Sequence, residues 1–127
     1  MRPHAAILSA LAVQLLATSA FAAKNSAPLI GMALASGKPT LIDFGSRGCI
    51  PCEKMAPILA ALEKEYRGKA NVIFVDVKEE REIGSQYRVQ MIPTQVFFDG
   101  KGREVKRHIG FFDRSDILKE LKAAGLK

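Results

Sequence analysis

The only two cysteines of this 127-residue chain, Cys49 and Cys52, are separated by Ile50 and Pro51 and stand between a short apolar run and a helical stripe. A thiol at the start of a helix meets the positive end of the helix dipole, which favours thiolate over thiol and makes the sulfur a nucleophile near neutral pH. Cys49, at the exposed helix start with unpaired backbone N–H groups directed toward it, is therefore the candidate nucleophile of a dithiol redox centre. Cys52, one turn later and deeper, is the candidate resolving thiol, which attacks a mixed disulfide on Cys49 and leaves the two cysteines joined. Ile50 and Pro51 tune the centre by stiffening the turn and shaping the field around the sulfur. A bare pair leaves two other readings open, an inert structural bridge and half of a zinc site. Zinc normally takes four ligands, and the only histidines, His4 and His108, do not supply them, so no metal is expected short of dimerisation.

A second group with chemical potential is Asp43, which interrupts the apolar run Thr40-Leu41-Ile42-Asp43-Phe44 just before the cysteines. Burying a carboxylate without a partner is costly, so in a strand its pKa would rise and it would serve as general base toward Cys52. The alternative is a solvated aspartate near the strand end. Arg47, in the loop Gly45-Ser46-Arg47-Gly48, reads as a solvated cation.

The elements that must hold these residues follow from periodicity. Leu29, Ile30, Ala33 and Leu34 mark a short helix from Ala27 to Ser36, with Gly37 at its C-terminal cap. A strand over 40–44 leads into the cysteine loop. Met55, Ile58, Leu59, Leu62 and Tyr66 form an apolar stripe on a helix running to about Arg67 and stopping at Gly68, with Pro57 inside it as a kinking residue. The continuous apolar run Asn71–Val77 predicts a strand covered on both faces. A charged helix over 79–87, a strand over 94–98, the turn Asp99-Gly100-Lys101-Gly102 and a strand over 104–109 come next, the last two strands forming an antiparallel hairpin. Asp113 and Asp116, with Phe112 and Ile117 placed to pack together, open a final helix from Arg114 to about Ala124. The order α, β, α, β, α, β, β, α is the α/β class, with a central mixed sheet of parallel strands plus a C-terminal antiparallel hairpin and helices on both faces. Chemical sites in such sheets lie at the carboxyl ends of the parallel strands, where Cys49 falls.

The N-terminus reads as a targeting segment. A basic start (Arg2), an apolar run over 5–17 and the Ala20-Phe21-Ala22 cleavage pattern predict a signal peptide over residues 1–22, with one domain over 23–127. Removal leaves about 105 residues, enough for one modest core. The exported protein is expected to be soluble and periplasmic or otherwise extracytoplasmic, and an uncleaved anchor is the alternative. The net charge of +6 would suit nucleic acid, but the basic residues are dispersed, and the denser patch over 101–108 reads as an edge hairpin whose cations discourage strand pairing. No nucleic-acid partner is expected.

Three stretches together, the strand 40–44, Cys49-Ile50-Pro51-Cys52 followed by Met55 and Pro57, and Met91-Ile92-Pro93-Thr94, resemble the thioredoxin family, and the resemblance covers most of the chain after residue 22, from about Lys38 to Leu121. The chain is also similar to exported bacterial thioredoxin-like proteins. The resemblance implies a thioredoxin-like fold, no bound cofactor, a cis proline at Pro93 lying against the disulfide, and a backbone at Ile92 that pairs with an extended substrate segment. It also associates a proline before the second cysteine, Pro51 here, with reducing members. Departures are clear: Gly45 and Gly48 stand where the family usually has tryptophan, Glu53 replaces a lysine after the second cysteine, and the strand 71–77 lacks the lysine that often sits near the buried aspartate. The last two remove positive charge near the thiolate. The expected activity is reduction of disulfides in cysteine-containing exported proteins, with a membrane thiol electron donor as a second partner. The alternatives are a disulfide oxidase or isomerase, and a metal- or partner-binding module.

Overall fold

The computed structural model describes residues 24–127, so the signal-peptide expectation for residues 1–22 lies outside the described residues. Eight elements follow in the order α1 (Ala27–Leu34), β1 (Thr40–Gly45), α2 (Ile50–Glu65), β2 (Asn71–Asp76), α3 (Arg81–Gln86), β3 (Thr94–Phe98), β4 (Glu104–Ile109) and α4 (Arg114–Ala123). The strands form one mixed sheet in the order β2-β1-β3-β4. β1 runs parallel to β2 and antiparallel to β3, and β3 pairs antiparallel with β4.

β1 lies between two other strands and every one of its residues is buried, the apolar Leu41, Ile42 and Phe44 together with the polar Thr40 and Asp43. Alternation along the strand sends its side chains into two cores. Ile42 and Phe44 pack with Ile30 and Ala33 of α1, Ile83 of α3, and Ile73, Val75, Val96 and Phe98. Leu41 packs on the other face with Met55, Leu59 and Leu62 of α2, Ile117 and Leu121 of α4, and Phe97. Helices thus cover both faces, α1 and α3 on one and α2 and α4 on the other.

Local chemistry sets the boundaries. Asp113 caps α4 by accepting the Asp116 N–H at 3.0 Å, and Phe112 packs against the core that contains Ile117. Gly37, after α1, and Gly68, after α2, both have φ near +80°, a conformation that favours glycine at helix exits. In the hairpin loop the Asp99 carboxylate accepts the N–H groups of Lys101 and Arg103 at 2.9 and 3.0 Å. α2 is one continuous helix through Pro57.

β2 is an edge strand of the sheet, and its side chains pack on both faces as expected, Ile73 and Val75 in the core under α1 and α3 and Val72 against the core under α2, while Phe74 in its middle is 38% exposed. The apolar run Asn71–Val77 is equally compatible with either place in a sheet. β4 is the other edge, and its basic residues are paired: Lys106 with Glu120 at 3.8 Å and Arg107 with Glu104 at 2.7 Å. Among the described residues no helix is long and apolar enough to cross a membrane.

Candidate functional site

At the carboxyl end of β1 the chain leaves the sheet through Ser46, Arg47 and Gly48 and enters α2 with Cys49 as its N-cap residue. Cys49 has extended backbone angles and is half-buried, whereas Cys52, the third helical residue, is 4% exposed. The two are joined as a disulfide. Pro51 lacks an N–H, so the first helical turn directs the Cys52 N–H at the Cys49 sulfur, at 3.4 Å. When the disulfide opens, that donor and the helix dipole favour charge on the outer sulfur.

The loop before the cysteines is tied at both ends. Glu53 folds back so that its carboxylate accepts the Gly48 N–H at 3.1 Å. Asp76, at the end of β2, accepts the N–H groups of Arg47, Lys78 and Glu79 at 3.2, 2.9 and 3.4 Å. Burial works to raise the Asp76 pKa, but the backbone donors, aided by the Arg47 charge, outweigh it and hold the carboxyl below its ordinary value. The Arg47 side chain itself is 80% exposed, 4.0 Å from Glu79.

Beneath the cysteines lies Asp43, fully buried. Its β3 partner in register is Gln95, also fully buried, whose Nε2 donates to Asp43 Oδ1 at 2.8 Å and lies 3.1 Å from Met55 Sδ. Loss of solvent raises the Asp43 pKa to about 6, against the lowering effect of the Gln95 hydrogen bond. Asp43 Oδ2 and Gln95 Oε1 are buried without a partner. Gly45, two residues on along β1, has no room for a side chain: a Cβ there would lie 3.0 Å from the Phe74 ring and 3.2 Å from the Cys52 sulfur. Cys52 and Phe74 also border a groove of about 470 Å³ between α2 and β2, lined further by Ala56, Leu59 and Val72.

The Ile92–Pro93 peptide is cis, and Pro93 is buried immediately before β3. Ile92 is half-buried, and Ile50 and Met91 are 70% and 62% exposed. Among the described residues no group of three or more His, Cys, Asp or Glu side chains is arranged to hold a metal ion. The structure brings Cys49, Ile50, Pro51 and Cys52 together on the first turn of α2 and sets Asp43 on the sheet face below it.

Sequence reasoning missed Gln95, Asp76 and the contact of Phe74 with the Cys52 region. Gln95 carried a signal of the same kind as Asp43, one polar residue inside an apolar strand. Asp76 carried a weaker one, a carboxylate closing a strand level with the cysteine loop.

The Thioredoxin family model matches residues 30–123. The chain is 36% identical over 89 residues to the thioredoxin of Alicyclobacillus acidocaldarius, covering 70% of this chain and 84% of that protein. It is also 36% identical over 88 residues to a bifunctional thioredoxin reductase/thioredoxin of Mycobacterium leprae, with 69% of this chain aligned, but it spans only 19% of that longer protein. The crystal structure of chloroplastic thioredoxin z superposes with a TM-score of 0.68 at 26% identity, covering 79% of this chain and 90% of the other. With its adjacent cysteine pair joined at the head of α2, the chain belongs to the thioredoxin family and is a thiol:disulfide oxidoreductase.

Proposed function

We propose that the protein is an exported reductase of disulfides in extracytoplasmic proteins. In the reduced form, Cys49 thiolate attacks one sulfur of a client disulfide, forming a mixed disulfide and expelling the other client sulfur as thiolate. Asp43 takes the Cys52 proton, and the Cys52 sulfur then attacks Cys49, releasing the second client thiolate and closing the Cys49–Cys52 bond. The client gains two electrons and two protons. A donor dithiol, in this reading a membrane thiol carrier, returns them to the pair. Ile92 offers its backbone to the client chain beside Pro93, and Ile50 and Pro51 set the turn. No bound cofactor or metal enters any step, and no nucleic acid is involved.

The assignment of roles rests on the difference between the sulfurs: Cys49 is accessible at a helix N-cap and Cys52 is buried one turn below. The observation that carries the direction is the Glu53 carboxylate at the Gly48 N–H. Strong oxidants owe their power to a stabilised reduced form, and a negative charge beside the helix start opposes that stabilisation. Pro51 points the same way, since the reducing members that the chain resembles carry proline there. Export is supported by the basic start, apolar run and Ala20-Phe21-Ala22 pattern.

Equilibration with glutathione tests the direction: a potential near about −270 mV supports the reductase, and one near about −120 mV replaces it with a disulfide donor. Dithiothreitol-driven reduction of a protein disulfide tests the chemistry, with turnover expected to vanish in Cys49→Ser. Secretion of a reporter fused to residues 1–23 tests the export.

A further inference from the structure

Asp43 is one position in a row of side chains that crosses the sheet. Strand register sets Phe74 of β2, Asp43 of β1, Gln95 of β3 and His108 of β4 side by side, and cross-strand partners share a face, here the one beneath α2. Among the described residues, the titratable groups nearest this row on the packed elements are Cys52 on α2, whose sulfur would lie 3.2 Å from a Cβ at Gly45, two residues along β1 from Asp43 on the same face, and His108, one strand beyond Gln95. β2 presents the uncharged Phe74, and α4 contributes the apolar Ile117 and Leu121 to the same core. Gln95 is the only side chain that hydrogen-bonds Asp43 among the described residues.

A buried carboxyl that exchanges a proton needs something different from a buried carboxyl that holds a charge. A lysine or arginine beside it can only donate, and so favours the ionised form alone. An amide can do both. It presents N–H donors at one corner and a carbonyl acceptor at the other, and its terminal torsion is broad and roughly two-fold, so turning it over exchanges them. The surroundings of Gln95 suit that motion, because its second N–H contact is to the Met55 sulfur, a weak acceptor, and its Oε1 has no partner to lose.

We propose that Gln95 is a positioning residue for proton transfer between Cys52 and Asp43. Its amide donates through Nε2 to the ionised carboxylate and, turned over, accepts through Oε1 from the protonated carboxyl, so that one side chain partners both states. The inference rests on the proposed role of Asp43 as the acceptor of the Cys52 proton. Only a proton moves at Asp43: it leaves the Cys52 sulfur before that sulfur attacks Cys49, and it passes to water when the carboxyl ionises again. The donor bond to the charged form is the stronger of the two, so losing Gln95 disfavours the carboxylate more than the acid.

The test is the pH dependence of the resolution step, followed by stopped flow on a mixed disulfide formed at Cys49, in wild type, Gln95→Met, Asp43→Asn and the double variant. In Gln95→Met the acid limb is expected to move up by about one pH unit, a roughly tenfold slower step below the midpoint. Asp43→Asn is expected to remove that limb, and Gln95→Met is expected to add nothing to its pH profile. A Gln95→Met limb that superimposes on wild type overturns the positioning role. An unchanged limb in Asp43→Asn, with wild-type turnover intact, overturns it too while leaving the dithiol mechanism standing. Failure of the dithiol mechanism shows separately, as turnover in Cys49→Ser equal to wild type. A measurement on unaltered protein covers the case in which the variants do not fold. The Gln95 side-chain amide resonances are expected to titrate with the midpoint of the Asp43 carboxyl, and a flat amide response overturns the proposal.

Discussion

Replacing Asp43 by asparagine in the oxidised protein isolates the cost of the buried carboxylate, because the disulfide removes both thiols from the titration. The introduced amide does not titrate, yet its oxygen can still accept the Gln95 N–H, so the pH-dependent part of the difference belongs to Asp43 alone. Burial raises the carboxyl from its ordinary 3.8 to about 6 in the folded protein. The folded value lies above the unfolded one, so between them the native state holds a proton that the unfolded chain has released. Wild type is therefore favoured, relative to the asparagine variant, below about pH 4, and loses that advantage as pH rises through about 6. The side chain is fully buried, so the pKa difference converts without a discount for solvent, to on the order of 3 kcal/mol at pH 8. At about 4–8 °C per kcal/mol for a domain of this size, the melting temperature of the variant should rise against wild type by roughly 10–20 °C between about pH 4 and about pH 8. Urea unfolding at both pH values, with thermal scans as a check, measures it. A difference between the two proteins that stays constant over this range would refute the reasoning.

Three further outcomes follow from neighbouring residues. Glu53→Gln keeps an acceptor for the Gly48 N–H but removes the charge, so alkylation of reduced Cys49 at about pH 6.5 should quicken by roughly two- to threefold, the effect of one screened charge near a helix end, and should lose part of its salt dependence. Asp76→Ala leaves the Arg47 and Lys78 N–H groups without their acceptor and should cost about 1–3 kcal/mol in urea unfolding, with faster hydrogen exchange at both amides. Because the Asp76 pKa is held down, its contribution should fade in wild type as pH falls below the ordinary carboxylate range. Gly45→Ala forces a Cβ against the Phe74 ring and the Cys52 sulfur, and should destabilise the oxidised protein by about 1–3 kcal/mol, part of which Phe74→Leu restores.

Much of this arrangement was legible in the chain because local signals and global packing agree. Pro93 starts β3 at Thr94, the Asp99-Gly100-Lys101-Gly102 turn separates two strands at the expected residues, and Asp113 opens α4 with the expected side-chain cap. The cysteine pair was legible because a helix start is itself the source of its chemistry. What escaped depends on strand order, which periodicity does not encode. The run Asn71–Val77 is as apolar as a central strand, yet lies at the edge, and Phe74 is left half-exposed beside Cys52. Asp43 is ambiguous in sequence because a strand-end carboxylate is solvated on an edge and buried in the centre, and only the pairing of β1 with both β2 and β3 decides. Gln95 becomes meaningful only opposite Asp43, 52 residues earlier. Asp76 is likewise defined by a partner 29 residues away, the Arg47 N–H.

The central claim is that the two sulfurs have different tasks, attack at Cys49 and resolution at Cys52. Mass spectrometry of Cys52→Ser and Cys49→Ser, each reduced and then mixed with a disulfide-bonded peptide, tests it most directly. The account predicts a stable one-to-one peptide adduct on Cys49 in the first variant and little adduct in the second, where the remaining sulfur belongs to the buried Cys52. Equal adduct formation at equal rates on the two sulfurs would contradict it.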